Sequence, residues 1–237
     1  MHLAILVTNT DESAFADRHT KDGEKFTALI RAVRPEWELS VFEVKDGEFP
    51  KDPGAFDGLI VTGSPASVHD EAAWIDRLKV LLAEAYASGQ SIFGACFGHQ
   101  AIAEALGGEV GENPSGWELG TIQAMRISTP PWEAHLPKIL HMYAAHHEQV
   151  LKLPRDAVAI HERKDCRYAG YRIGDRVYST QYHPEMEHHF IQDLTEEMKE
   201  QVPEDVIDRS RSSLATHSHY TEFAESIARF FEQANNN

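Results

Sequence analysis

Apolar runs of strand length alternate with amphipathic stretches along the first hundred residues. The runs at residues 3–8, 59–62 and 91–95 are mostly apolar, as is typical of strands buried on both faces. Residues 37–44 alternate between apolar and polar positions and predict a further strand.

Between these runs, apolar residues recur with the spacing of a helix that buries one face. The first stripe is Phe26, Leu29, Ile30 and Val33, and the second is Trp74, Ile75, Leu78, Leu81, Leu82 and Ala85. The second helix is expected to end near Gly89. A third is expected to begin at Phe97 and to end at the pair Gly107-Gly108, which is typical of a helix C-terminus.

The remainder of the chain predicts a different organisation. Residues 109–182 indicate short strands and turns, and two apolar stripes near the C-terminus indicate helices. The stripes are Phe190, Ile191, Leu194 and Met198, and Phe223, Ile227, Phe230 and Phe231. The β–α alternation predicts an α/β fold with a doubly wound, mainly parallel sheet and helices on both faces. We expect one domain over residues 1–234 and a disordered tail over residues 235–237.

The most informative segment is Ser91-Ile-Phe-Gly-Ala-Cys-Phe-Gly-His-Gln100. It predicts a strand that turns sharply into a helix, with Cys96 on the turn and Gly94 and Gly98 two residues away on each side. A Cβ at either glycine would clash where backbone meets backbone. The N–H groups at the helix N-terminus would favour an anionic sulfur. The alternative is a buried structural cysteine beside glycines that only allow close packing.

A partner for this cysteine is indicated far along the chain, in Gln181-Tyr-His-Pro-Glu185. His183 would serve as general base and acid, Glu185 would orient its ring, and Pro184 would stiffen the spacing. A thiol, a histidine distant from it in sequence and a carboxylate close to that histidine are the three groups of a catalytic triad.

Together these segments resemble the class I glutamine amidotransferases, of which this chain would be a stand-alone member. The elbow matches at Gly94, Cys96, Gly98 and Gln100, and the second motif matches at His183, Pro184 and Glu185. Further similar segments are residues 59–65, 113–120 and 145–150. The resemblance implies a flavodoxin-like sheet and a Cys96–His183–Glu185 triad. It also implies an oxyanion site made of backbone groups at Gly63, Ser64 and Phe97.

The resemblance further implies a substrate pocket bordered by Gln100, His146, His147 and Glu148. Residues 145–150 depart from the usual family pattern, because Ala145 replaces a common serine, His147 a small residue and Glu148 a common aspartate. These departures leave the identity of the substrate open. Gln100 could instead be an ordinary surface residue of its helix.

Composition and charge argue against several classes of protein, among them nucleic-acid-binding and membrane proteins. A formal net charge of −16 argues against non-specific nucleic-acid binding. No apolar run approaches membrane-spanning length, and the N-terminus lacks the basic flank of a signal peptide. Two cysteines give no disulfide framework, and a catalytic thiol needs a reducing compartment, so we expect a cytoplasmic protein. Cys166 is expected to be a structural or incidental cysteine.

The fourteen histidines raise the question of a metal site. Adjacent histidines on a helix point to different faces and chelate poorly, and two of the candidate donors are needed in the triad. We therefore expect neither a metal nor a cofactor. Trp117 and Trp132 are interpreted as packing residues rather than a ligand platform.

Three functions remain open. The protein could release ammonia from glutamine for a separate synthase subunit, or hydrolyse γ-glutamyl peptides or amides on its own. It could also be a silent binding protein that keeps the fold, although the complete triad argues against this. The chain has no nucleotide-binding glycine motif, so any acceptor chemistry would occur on another polypeptide.

Overall fold

The computed structural model describes residues 1–236. Within this range the strands are β1 (His2–Val7), β2 (Glu38–Glu43), β3 (Gly58–Val61), β4 (Ile92–Ala95), β5 (Glu109–Glu112), β6 (Glu118–Arg126), β7 (Ile139–His146), β8 (Glu148–Lys152), β9 (Ala157–Arg163), β10 (Cys166–Ile173) and β11 (Val177–Thr180). The α-helices are α1 (Ala14–Asp17), α2 (Asp22–Arg31), α3 (Ala73–Ala87), α4 (Phe97–Ala105), α5 (His188–Glu197), α6 (Glu204–Ser213) and α7 (Tyr220–Asn236). Short 3₁₀ turns lie at Val44–Asp46, Pro53–Ala55, Pro131–Glu133 and Met198–Glu200.

Nine strands form one sheet in the order β2-β1-β3-β4-β11-β10-β9-β6-β7. The five strands from β2 to β11 are parallel, and the strands from β10 to β7 continue the sheet in antiparallel fashion. Strands β5 and β8 form a separate antiparallel pair. The predicted doubly wound α/β fold with a parallel centre is confirmed.

The alternation of side chains along β1 explains why helices cover both faces. Leu3 and Ile5 lie in a core shared with α2 and α7, whereas Ala4 and Leu6 lie in a second core shared with α3 and α4. Both cores are built from the apolar stripes seen in the sequence. The carboxyl ends of the parallel strands therefore lie between two helical layers, where loops can carry a site.

Three predictions needed correction. Residues 109–182 contain strands of eight and nine residues as well as short ones, and most of them extend the main sheet. Helices α1 and α6 were not predicted. The predicted disordered tail is wrong for Asn235 and Asn236, which belong to α7, and the Asn235 amide donates to the carbonyl of Asp57. Asn237 lies outside the described residues.

None of the helices within residues 1–236 is long and apolar enough to cross a membrane.

Candidate active site

Cys96 lies on the turn between β4 and α4, at the carboxyl end of a central strand. Its backbone has φ 50° and ψ −107°, a left-handed conformation that residues other than glycine rarely adopt. Such strain is kept where the surrounding structure enforces it and is frequent at functional sites. The predicted sharp turn from strand to helix is therefore present, with Cys96 at its apex.

The flanking glycines are required by close backbone contacts. A Cβ on Gly94 would lie 2.7 Å from the carbonyl carbon and oxygen of Gly98. A Cβ on Gly98 would overlap the carbonyl oxygen of Val61 at the end of β3. Both glycines thus allow α4 to start directly above β3 and β4, which holds the cysteine in place.

The structure brings His183 and Glu185 together beside this turn. Nδ1 of His183 lies 2.8 Å from Oε1 of Glu185, and both side chains are buried. The backbone N–H of His183 donates to the carbonyl of Tyr143, which ties the segment after β11 to β7. Nε2 of His183 is buried without an oxygen or nitrogen partner within the described chain.

Electrostatics distinguish His183 from an ordinary buried histidine. Burial acts to lower the pKa of His183, but Cys96 and Glu185 outweigh it and raise that pKa well above its usual range. An imidazolium next to the sulfur is therefore favoured. The three predicted triad residues occupy one site although 87 residues separate the cysteine from the histidine in sequence.

The predicted oxyanion groups border the same site. A Cβ on Gly63 would lie 2.8 Å from Cε1 of His183 and 3.6 Å from Cβ of Cys96, so this backbone passes next to both. Ser64 follows it in the loop after β3. Phe97 is the first residue of α4, and its N–H belongs to the first helical turn, where N–H groups lack intrahelical acceptors.

Gln100 is buried on α4 and makes two hydrogen bonds within the protein. Its amide nitrogen donates to the carbonyl of Glu148 at 2.8 Å and to Oε1 of Gln181 at 3.2 Å. The amide nitrogen of Gln181 in turn lies 3.8 Å from the sulfur of Cys96. Gln100 is therefore not a surface residue, and it connects the loop before β8 to the cysteine.

His146 lies beneath the loop between β7 and β8. Its Nδ1 hydrogen-bonds the carbonyl of Glu148 at 3.0 Å, and its Nε2 lies 3.2 Å from Glu118, which also binds Arg163. Burial acts to raise the pKa of Glu118, but His146 and Arg163 bring it below its usual range. Both ring nitrogens of His146 are thus engaged by the protein, so its place is in the support of the loop. Its expected place on the border of the substrate pocket stays a prediction.

His147 and Glu148 occupy the rim of the site. The exposed ring of His147 stacks on Trp117 with centroids 4.6 Å apart and an interplanar angle of 21°. The carboxylate of Glu148 accepts a hydrogen bond from the hydroxyl of Ser67 at 3.1 Å, in the loop that begins at Gly63. The first contact joins the loop after β7 to the segment before β6, and the second joins the loop after β3 to the start of β8.

Sequence reasoning missed several groups around the site. No role was predicted for Gln181, although it belongs to the same motif as His183. No role was predicted for Ser67, Glu118 and Arg163 either. Their polar type was the only available signal, since each contact spans between 45 and 85 residues. Trp132 is buried as expected, whereas Trp117 is half-buried and stacked.

Cys166 differs from Cys96 in its surroundings. It is buried at the start of β10, and burial raises the pKa of its thiol far above the usual range. Among the described residues, no group of three or more His, Cys, Asp or Glu side chains is arranged to hold a metal ion.

Comparisons with known proteins identify the family. The model of the class I glutamine amidotransferase family matches residues 26–194. Gamma-glutamyl peptidase 4 of Arabidopsis thaliana is 30% identical over 199 residues, which are 80% of this chain and 78% of that protein. A glutamine-hydrolyzing GMP synthase of Aeropyrum pernix is 31% identical over 135 residues, which are 55% of this chain and 24% of that protein.

The fold agrees with these matches. The crystal structure of a glutamine amidotransferase from Thermotoga maritima superimposes with a TM-score of 0.78 at 18% identity, covering 99% of this chain and 98% of that one. The family model spans more than half of the chain. The chain therefore belongs to the class I glutamine amidotransferase family and is an enzyme of that family.

Proposed function

We propose that this enzyme hydrolyses the γ-amide bond of a γ-glutamyl compound through a covalent thioester on Cys96. One observation carries the proposal: a cysteine held at positive φ at a helix N-terminus lies beside a histidine whose other ring nitrogen is bound by Glu185. This arrangement has the nucleophile, the acid–base group and the orienting group of a triad.

In the first half of the reaction, the Cys96 thiolate attacks the γ-carbonyl carbon and a C–S bond forms. The tetrahedral intermediate collapses when the C–N bond breaks, and His183 gives its proton to the departing nitrogen. The products are ammonia or an amine and a γ-glutamyl thioester. The raised pKa of His183 supports this role, because the imidazolium is the form that can donate.

In the second half, water attacks the thioester and His183 accepts a proton from it. The C–S bond then breaks, glutamate leaves and the thiolate is restored. The oxygen that becomes negative in both halves would be stabilised by the N–H groups of Phe97 and of the Gly63–Ser64 backbone. A well-placed donor of this kind contributes about 3 kcal/mol to the stability of the transition state.

The glutamyl head would bind between α4 and the loop before β8. Because both amide protons of Gln100 are used within the protein, its Oε1 is the atom that would accept from the substrate's ammonium group. The carboxylate of Glu148 would add to the attraction for that cation. His146 would act indirectly, by holding the carbonyl of Glu148.

Two observations favour γ-glutamyl peptides over free glutamine as the substrate. The similarity to a plant gamma-glutamyl peptidase covers 80% of the chain. The exposed stack of His147 on Trp117 also offers a flat surface at the rim, which a leaving group larger than ammonia could contact. Delivery of ammonia to a separate synthase subunit is the second candidate, supported by the partial match to a GMP synthase.

The test is a substrate panel of glutamine, γ-glutamyl dipeptides and the matching α-glutamyl dipeptides. We expect glutamate release from γ-linked compounds, none from α-linked ones, and a higher kcat/KM for the dipeptides than for glutamine. Cys96→Ala should abolish turnover, whereas the matched variant Cys166→Ala should retain it. Turnover by the Cys96→Ala variant would contradict the proposal. A preference for glutamine would favour the synthase alternative.

Covalent labelling provides an independent check. A diazo-ketone analogue of glutamine should add one equivalent to Cys96 and spare Cys166, because the pKa of the Cys166 thiol is raised far above its usual range. Peptide mass spectrometry locates the adduct. Labelling at Cys166 alone would contradict the assignment of the nucleophile.

A further inference from the structure

Two buried threonine hydroxyls meet at the backbone carbonyl of Gly63. Thr8 follows β1 and Thr62 follows β3, and neither side chain is exposed to solvent. Oγ1 of Thr8 lies 3.0 Å from the Gly63 oxygen, and Oγ1 of Thr62 lies 3.2 Å from it. The N–H of Thr8 donates to Oγ1 of Thr62. Oγ1 of Thr8 also lies 3.1 Å from the carbonyl oxygen of Thr62 and 3.2 Å from Oγ1 of Thr62, so the Gly63 carbonyl is the nearest of three acceptors for the Thr8 proton. We call this arrangement the threonine clamp.

The clamp holds the carbonyl of a residue, Gly63, whose Cα lies close to His183 and Cys96. In a trans peptide the C=O and the following N–H point in opposite directions. A Gly63 carbonyl held toward β1 therefore sets the direction of the Ser64 N–H. The nearest groups to a Cβ on Gly63 are His183 and Cys96, which places this peptide next to the reacting atoms.

The two hydroxyls restrict the rotation of this peptide. Gly63 has no Cβ, so rotation about its bonds meets few steric barriers. A flipped peptide would direct a carbonyl oxygen where the N–H had pointed. An oxygen dipole facing a developing negative charge would repel it, and a preorganised donor would be lost.

We propose that Thr8 is a positioning residue for the oxyanion site. Its hydroxyl, together with that of Thr62, holds the Gly63–Ser64 peptide so that the N–H of Ser64 is ready for the tetrahedral intermediate. The proposal rests on the function proposed above. Thr8 touches neither substrate nor sulfur, and it acts through the peptide.

A purely structural role is the competing explanation, since the same hydroxyls connect the ends of β1 and β3. The two roles differ in their consequences. A structural link affects stability alone, whereas the positioning role affects only steps in which an oxyanion develops. Alkylation of Cys96 by iodoacetamide displaces iodide at a saturated carbon and forms no oxyanion, so it separates the two.

The experiment compares Thr8→Val, Thr8→Ser and the control Thr195→Val on a confirmed γ-glutamyl substrate. Valine keeps the shape of threonine and removes the hydroxyl. We expect Thr8→Val to lower kcat by about 10- to 100-fold. KM and the iodoacetamide rate at Cys96 should stay within about twofold, and Thr8→Ser should restore most of kcat. Thr195 is a buried threonine that bonds Ile191 and Ser210, and its valine variant should keep kcat.

Two outcomes would overturn the role of Thr8 while the proposed function stands. One is a kcat for folded Thr8→Val within twofold of wild type, and the other is an equal loss of alkylation, which would mean that the elbow itself is disturbed. If Thr8→Val does not fold, Thr8→Ala removes the same hydroxyl and is judged by the same criteria. Turnover that survives Cys96→Ala would overturn both proposals together.

Discussion

Two histidine–glutamate pairs with the same nitrogen–oxygen separation of 2.8 Å lie in the interior of this protein. One is His183 with Glu185, and the other is His161 on β9 with Glu133. The carboxylate of Glu133 also lies 3.5 Å from Arg126, and no cysteine contributes to that cluster. In contrast, His183 has a sulfur beside it, and Cys96 and Glu185 together raise its pKa.

The comparison shows that a buried histidine–glutamate pair does not by itself indicate catalysis. We infer that the third member of each cluster, Arg126 or Cys96, determines the role of the pair. With Arg126, the charge of Glu133 is balanced and the cluster can link β6 and β9 to the turn Pro131–Glu133. In the proposed mechanism, Cys96 is the nucleophile with which His183 exchanges a proton. Cys96 and His183 also follow the carboxyl ends of the central strands β4 and β11, where a substrate can reach them.

The strongest test of this difference is to remove the histidine of the proposed catalytic pair. His183→Ala should lower kcat by about 10²–10⁴-fold on a confirmed γ-glutamyl substrate, the usual contribution of a positioned acid–base group. Its effect should be far from additive with that of Glu185→Gln, because members of a triad act as a unit. Wild-type kcat in both single variants would contradict the triad.

The matched change in the other pair should affect stability instead. Glu133→Gln leaves the Arg126 guanidinium as a buried cation without its carboxylate, which should cost about 3–5 kcal/mol of the free energy of unfolding. The turnover per folded molecule should be unchanged. Urea denaturation and active-site titration of the same sample measure the two quantities. A large loss of kcat in the folded fraction would remove the distinction between the pairs.

A smaller effect is expected when the charge of Glu185 is removed and its shape is kept. Glu185→Gln should lower kcat by about 10- to 100-fold. It should also move the basic limb of the kcat/KM profile to lower pH. Glu185 helps to raise the pKa of His183, so without its charge the imidazolium is lost at lower pH. An unmoved basic limb would mean that another group controls it.

A third buried histidine sharpens the comparison further. His99 on α4 has the hydroxyl of Ser179 as its partner at 2.9 Å, and burial lowers its pKa to about 3. Its folded-state pKa lies below that of an unfolded histidine, so the unfolded chain binds the proton more readily. This contribution to stability is therefore present above about pH 6.5 and is lost as the pH falls toward 3.

His99→Asn should reduce that dependence and should have the smallest effect on catalysis. Asparagine places a polar atom near the position of Nδ1 and does not titrate. The free energy of unfolding, measured between pH 7 and 4, should fall less steeply than in wild type. Equal slopes in the two proteins would show that other groups dominate the acid response.

The sequence predicted the parts of this site that depend on local geometry. Gly94, Cys96 and Gly98 define a turn whose steric needs can be read within five residues, and the structure contains that turn. His183 and Glu185 were found because they stand two positions apart in a recognisable motif. Four apolar stripes, together with the turn at Cys96 and the Gly107-Gly108 pair, placed five of the seven α-helices in the described chain.

The remaining features depend on contacts that no local pattern encodes. Helix α6 was missed because few of its residues are apolar, with Val206 and Ile207 as its buried hydrophobic residues. The contact of the His146 ring with Glu118, which lies 28 residues earlier, was not predicted either. The antiparallel half of the sheet was underestimated because its strands alternate irregularly and pair across long sequence distances.

The place of β11 in the sheet has a consequence for how the protein is made. Among the strands within residues 1–236 this one comes last in sequence, yet it lies between β4 and β10 and joins the parallel half of the sheet to the antiparallel half. A nascent chain that ends before Val177 would leave the edges of both neighbours unpaired, and open strand edges promote aggregation. The pairing of the four residues of β11 thus completes the sheet. It also brings His183, three positions further on, next to Cys96, which is synthesised much earlier.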